Sequence, residues 1–263
     1  MDIQYKDNTP PGVSVTVSVV IPVYNCERYI EESIKSVLNQ SYSDFELIIV
    51  DDASTDHTKD ILERYKKQDC RIKVIRQETN VGVARTRNSG FDHCSGSLIA
   101  LLDADDYWHK DKLKKQVEAL ERTNADLVYC SYEIVDETGK KICDDFIVPE
   151  TTDLEGTLRQ NVMNCSTALF KAEVIRKHRF RPDFYHEDFV FWIDLLKDNV
   201  RVWGVREVLA AYRVVKGSRA SDKLRSAKNR YLVLKDYLKI PFYRRSMIML
   251  SYAVKAVIKY KRK

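Results

Sequence analysis

Apolar and polar positions alternate in blocks of two different periods along the first half of this chain. Val15 to Val23 is a β-branched apolar run, the composition of a strand buried on both faces. Glu27 to Asn39 then carries Tyr29, Ile30, Ser33, Ile34, Val37 and Leu38 at helical spacing. Phe45 to Val50 reads as a second strand. Asp56 to Gln68 reads as a helix with Ile61, Leu62 and Tyr65 on one face. Arg71 to Arg76 predicts a short strand, Gly82 to His93 a helix and Ser97 to Leu102 a strand. Lys110 to Arg122 follows as a helix with Leu113, Val117 and Leu120. Continuous apolar strands alternating with helices predict an α/β, Rossmann-like, mainly parallel sheet with helices on both faces. In such sheets ligands bind beyond the carboxyl ends of the strands.

The second half is less regular. Leu127 to Val135 predicts a strand, and Asp136 to Gly139 a turn into Lys141-Ile142-Cys143. Cys165 to Lys171 is another strand, Phe189 to Leu196 an amphipathic helix, and Val200 to Tyr212 a hairpin with Gly204 and Glu207 near its turn. From Ser218 onward the pattern is helical, broken at Pro241. The expected organisation is a tail over 1–14, a catalytic-type domain over 15–217 and a basic helical extension over 218–263. The domain divides into a nucleotide-binding half, 15–125, and an acceptor half, 126–217. There is no internal repeat.

With 263 residues, 44% hydrophobic and 32% charged, the chain is long enough to bury a large core and is not a disordered sequence. No run reaches the roughly 18 apolar residues of a membrane-spanning helix. Asp2, Lys6 and Asp7 precede no leader-like apolar segment, so a cytoplasmic location is expected. Six scattered cysteines form no CxxC pair and no zinc spacing, as expected of small core residues in a reducing compartment. The net charge of +5 is unevenly spread: from Tyr237 to Lys263 eight basic residues stand with no acid. The rest of the chain is slightly acidic, which argues against nucleic acid as a partner and points to one for the tail.

Four polar clusters fall at successive strand ends. Pro22 cannot donate to a ladder, so the first strand should stop pairing there; Tyr24 and Asn25 would then project into the crevice, as a face for a nucleobase or as a core rim. Asp51-Asp52-Ala53-Ser54-Thr55-Asp56 ends the second strand, with Ser54 or Thr55 an N-cap candidate. One of the two adjacent aspartates must face the crevice, where a carboxylate accepts from a base ring N–H or from ribose hydroxyls. The stretch Asn80 to Gly90 holds Arg87, a partner for phosphate or carboxylate, or a solvated helix arginine. Asp103-Ala104-Asp105-Asp106 ends the next strand. In an extended segment Asp103 and Asp105 point the same way, as ligands of a hard divalent cation or as an acidic capped turn.

Together, Ser18 through Asn25, Asp51 through Asp56, Asn80-Val81-Gly82 through Asn88-Ser89-Gly90, and Asp103 through Asp106 resemble the family 2 glycosyltransferases, over residues 15 to about 215 and in the expected order. The resemblance implies an inverting enzyme of GT-A fold with a nucleotide-sugar donor, UDP-linked by commonest precedent, and Mn²⁺ or Mg²⁺. Pro22, Tyr24, Asp52, Arg87, Asp103 and Asp105 would bind donor, with Asp52 on the base and Arg87 near the diphosphate. Asp103 and Asp105 would form the DxD motif and hold the metal. The family's base lies in an acidic pair before a helix with a tryptophan. Here His186-Glu187-Asp188 precedes Trp192, so Asp188 is the expected base and Glu187 the alternative.

The chain departs from many such relatives by lacking a histidine after Tyr212-Arg213; Arg213 or Lys216 is then expected to neutralise diphosphate. The implied acceptor is a saccharide or polyprenyl-linked saccharide in O-antigen or capsule synthesis. Met247, Leu250, Val254, Val257 and Ile258 at helical spacing among Arg244, Arg245, Lys255 and Lys259 suit a peripheral helix on the inner face of the plasma membrane, or one packed on the domain. A nucleotidyltransferase is the alternative class, but Ile21 to Arg28 holds no glycine-rich loop. A non-catalytic nucleotide-sugar-binding module is the other.

Overall fold

The computed structural model describes residues 16–215 and 222–261. The expected tail over 1–14, Lys216 and the side chains of Val257, Ile258 and Lys259 lie outside the described residues.

Eight strands form one sheet. They are β1 (Val17–Val23), β2 (Phe45–Asp51), β3 (Ile72–Arg76), β4 (Leu98–Leu101), β5 (Tyr107–Trp108), β6 (Leu127–Val135), β7 (Leu169–Lys171) and β8 (Val202–Arg213). Their order is β3-β2-β1-β4-β7-β6-β8-β5. The strands β3, β2, β1 and β4 run parallel, β7 is antiparallel to β4 and β6, and β8 is parallel to β6. The predicted mainly parallel sheet is therefore present, with β7 as an antiparallel insertion and β5 as an edge strand antiparallel to β8.

The alternating side chains of β1 feed two cores. Val17, Val19, Ile21 and Val23 pack with α1 (Ile30–Leu38) and α4 (Lys112–Thr123) through Ile34, Val37, Leu113 and Val117. Val20 faces the opposite side, with Ala84 and Phe91 of α3 (Val83–Asp92), Ile175 of α6 (Ala172–Lys177) and Trp192 of α7 (Glu187–Lys197). Helix α3 lies so close to β1 that a Cβ on Gly90 would come within 2.4 Å of Val20 Cγ1. A third core joins α7 to α5 (Leu154–Arg159) and to the C-terminal extension. That extension is α8 (Lys223–Leu232), a π-helical turn (Val233–Tyr237) and α9 (Phe242–Lys261); the helical break at Pro241 is as expected.

Three local expectations are corrected. The segment Val200 to Tyr212 is not a hairpin: β8 is one strand, and a register shift between Cys130–Val205 and Ser131–Val208 expels Arg206 and Glu207 as a bulge. Gly204 is needed for close approach, because a Cβ there would meet the Pro149 carbonyl at 2.0 Å. The N-cap of α2 (Thr58–Gln68) is His57, and Asp56 rather than Ser54 or Thr55 accepts from its first amide. Pairing of β1 does not stop at Pro22 on the β2 side, where Pro22 lies opposite Val50 and Val23 opposite Asp51. On the β4 side the ladder ends at Val20, whose carbonyl accepts from Leu102. Residues alternate between neighbours, so Pro22 turns its missing N–H toward β4.

Candidate active site

The sheet order reverses between β1 and β4, and their carboxyl ends open onto a cavity of about 720 Å³. Pro22, Tyr24, Arg87, Asp103, Asp105, Glu187 and Asp188 all line it. The crevice thus sits where open α/β sheets bind ligands. All six cysteines are free; Cys26 and Cys165 lie on this wall, and Cys70 is exposed rather than a core residue.

Asp103 to Asp106 form a turn, closed by the Asp106 amide donating to the Asp103 carbonyl at 3.1 Å, and not the extended segment expected. The turn nevertheless brings Asp103 and Asp105 to the same cavity. Burial first, and then the neighbouring Asp103 charge, push the Asp105 carboxyl up to about 6. Asp106 is a buried strut: its carboxylate accepts from the Ser166 hydroxyl and from the Arg213 amide. Burial and the Asp105 charge hold it well above the usual carboxylate range.

Arg87 is 4% exposed. It donates to Asp103 Oδ1 at 2.6 Å and to Glu187 Oε1 at 3.0 Å, with its guanidinium over the Phe180 ring. Burial opposes its charge, but Asp103 and Glu187 override this and hold its pKa well above the ordinary value. Both terminal nitrogens of Arg87 are engaged by carboxylates. Asp188 follows at the first turn of α7, half-buried on the cavity wall. Its carboxyl is raised by burial and by Glu187, a shift that favours the neutral acid.

Asp52 does not line the cavity. Its two oxygens accept from the Val81 and Gly82 amides at 2.8 and 2.9 Å, which fixes the loop leading into α3. Asp51, also buried, accepts from the Ser54 amide, so neither aspartate of the pair opens directly into the crevice. Tyr24 is 48% exposed and free to stack. Arg213 lines the cavity as well. Its guanidinium donates to the Asp105 carbonyl, the Glu137 carbonyl and Glu32, between the rings of Tyr29 and Tyr107, and so braces the acidic turn from behind.

The sequence profile described as Glycosyl transferase family 2 matches residues 18–175. The chain is 36% identical to the glycosyltransferase TuaG of Bacillus subtilis (strain 168), assigned to teichuronic acid biosynthesis, over 92% of this chain and 96% of TuaG. It belongs to glycosyl transferase family 2. A second relative is WfgD of Escherichia coli, a UDP-Glc:α-D-GlcNAc-diphosphoundecaprenol β-1,3-glucosyltransferase. It is 31% identical over 93% of this chain and 94% of its own length. The fold matches Staphylococcus aureus TarS 1–349 in complex with UDP-GlcNAc, with a TM-score of 0.70 and 20% identity over 92% of this chain and 73% of TarS 1–349. This is the GT-A fold, with a helical C-terminal segment.

In this family 2 glycosyltransferase several cavity residues carried no sequence signal. Asn164 and Tyr185 line the cavity from irregular segments, and Cys165 from a 3-10 turn over Cys165–Thr167. Ser166 caps the acidic turn by accepting from the Asp103 amide, and Phe180 underlies Arg87. Such residues are placed by tertiary packing, and no period marks them. A profile ending at residue 175 also leaves Glu187 and Asp188 outside the matched span.

Proposed function

We propose that this enzyme transfers a hexosyl or N-acetylhexosaminyl group from a UDP-sugar, with inversion, to a lipid-linked saccharide in the assembly of a bacterial surface polysaccharide. The Arg87 bridge carries this reading. It joins the first acidic motif to Glu187, 100 positions from Arg87, so both halves of the chemistry face one cavity. TuaG, assigned to teichuronic acid biosynthesis, supports the pathway class, and the diphosphoundecaprenol-linked acceptor in the name of WfgD supports a polyprenyl diphosphate carrier. Family membership favours neither a nucleotidyltransferase nor a binding module.

In this reading Tyr24 stacks on the base. Asp52 acts through the Val81–Gly82 loop, which it shapes. Asp103 and Asp105 are the oxygen donors for Mn²⁺ or Mg²⁺. The fit rests on the carboxylates themselves: the shift of Asp105 to about 6 reflects burial and like charge, which a dication relieves. No group of three or more metal-ligating side chains exists among the described residues, so Asp103 and Asp105 are the side chains that would hold the ion. The bound ion supplies charge neutralisation of the leaving diphosphate.

Asp188 is the base. It accepts the acceptor hydroxyl's proton while that oxygen bonds to the anomeric carbon and the carbon–phosphate-oxygen bond breaks. Glu187, the alternative, is committed to Arg87 through Oε1. Catalysis at a lipid-borne acceptor favours peripheral membrane contact at the inner membrane face. Helix α9 exposes Tyr243, Met247, Leu250 and Val254 along one side, beside Arg244 and Arg245. No described helix is long and apolar enough to cross a membrane.

Calorimetric titration with UDP, GDP and dTDP, with and without Mn²⁺, tests the donor reading. UDP with Mn²⁺ should bind tightest, and failure of all three to bind would sink it.

A further inference from the structure

The base-bearing helix is gripped from outside the domain. Three contacts tie α8 to the segment that opens α7. Arg225 lies over the Tyr185 ring at 4.5 Å. The His186 ring stands 3.1 Å from the Ser226 carbonyl through Nε2; a carbonyl only accepts, so Nε2 carries the hydrogen. Arg230 is the third contact and the unusual one.

Arg230 is 5% exposed. It donates to the Thr157 and Leu158 carbonyls at 3.1 and 2.7 Å, and its guanidinium lies between the rings of Phe189 and Tyr252 at 4.0 and 4.4 Å. Its Nε has no hydrogen-bond partner, and no carboxylate pairs with it at ion-pair distance among the described residues. A buried cation without a paired anion is costly. Burial accordingly lowers its pKa to about 10, and Tyr252 first and then Asp188 work against that. Phe189, under the guanidinium, is the residue after Asp188.

We infer that Arg230 is a positioning residue for the base: α8 locks the first turn of α7 through Phe189 and α5, and directs a buried positive charge at Asp188. The inference rests on the assignment of Asp188 as base. It makes the C-terminal extension part of the catalytic apparatus, whatever α9 docks against. The charged or titratable groups acting on Asp188 are Glu187, His186 and Arg87. Cys165 and Arg230 interact with it as well.

The test is a rate profile against pH for full-length Arg230→Met and Arg230→Lys, with donor affinity and melting temperature measured alongside. Removing the positive charge disfavours the Asp188 carboxylate, so Arg230→Met should move the acidic limb of kcat to higher pH. It should lower kcat on the order of 10- to 100-fold, as a misplaced base does, at unchanged UDP affinity. Arg230→Lys keeps the charge and loses the paired carbonyl bonds, so it should retain the limb with a smaller loss of kcat. Ile248→Ala, in the same apolar cluster, should lower the melting temperature without moving the limb.

An unmoved limb in Arg230→Met, with kcat falling only with the folded fraction, overturns the inference. If Arg230→Met does not fold, wild-type kcat in Arg230→Lys does the same. Full activity in Asp188→Asn would remove the base assignment itself. An inactive Asp188→Asn beside an unaffected Arg230→Met would remove only the role of Arg230.

Discussion

Arg213 donates from Nε to the main-chain carbonyl of Asp105 at 2.8 Å, while its own amide donates to Asp106 Oδ1 at 2.8 Å. One residue at the end of β8 thus holds the Asp105 main chain and the Asp106 side chain, and Asp105 lines the cavity.

Replacing Arg213 by alanine keeps the amide bond to Asp106 but strands the Asp105 and Glu137 carbonyls and takes the cation from Glu32. The loss should be about 2–4 kcal/mol of unfolding free energy, the range for breaking a buried hydrogen-bonded charge network. Denaturant melts at neutral pH measure it. A midpoint within error of wild type would show that the turn holds itself.

Arg87→Lys is not conservative here, because one ammonium cannot span Asp103 and Glu187 as the forked guanidinium does. Arg87→Met leaves two carboxylates facing each other without a cation, and should cost about 3–5 kcal/mol. Lysine should recover part of that stability and little of the transfer activity. Coupled assays and melts on the same preparations separate the two effects. Full activity in Arg87→Lys would contradict the bridge.

Asp188→Asn should keep donor affinity and lose transfer by about 10²–10⁴-fold, the usual worth of a positioned base. The sign of the pH effect follows from the environment. Burial and Glu187 raise the Asp188 pKa, and a base works only when deprotonated. Transfer should therefore rise with pH through a limb above the ordinary carboxylate range. A pH profile flat down to ordinary carboxylate values would contradict this.

Glu46 offers a stability test away from the cavity. Burial raises its pKa, but the Lys73 ammonium and the Ser18 and Ser95 donors override this and bring it from 4.5 to about 2. A depressed carboxyl stabilises the fold above its unfolded pKa and loses that contribution as pH falls through its folded one. Glu46→Gln should therefore be less stable than wild type at pH 6, with the gap closing between about 4.5 and 2. A gap independent of pH would assign the effect to packing alone.

The sheet was legible because β1, β2 and β4 are buried along their whole length, which forces unbroken apolar runs. The acidic cluster was legible as a cluster, but not as a turn, since sequence spacing does not distinguish an extended Asp-x-Asp from a folded one. β8 resembles a hairpin in sequence because its bulge exposes Arg206 and Glu207 in mid-strand, which mimics a turn. The roles of Arg87, Asp52 and Arg213 depend on partners far away in sequence, such as Glu187, Val81 and Glu32. Charge type alone marked them as interesting, without saying that each would bind protein before ligand.

Pro22 has a further consequence. A residue with an N–H at that position could offer one more rung to the chain that continues β4, and the two strands could zip further together. Proline withholds that rung, so β1 and the chain after β4 part above Val20 and Leu102. The wedge between them is kept open by covalent structure, ready before any sugar nucleotide arrives.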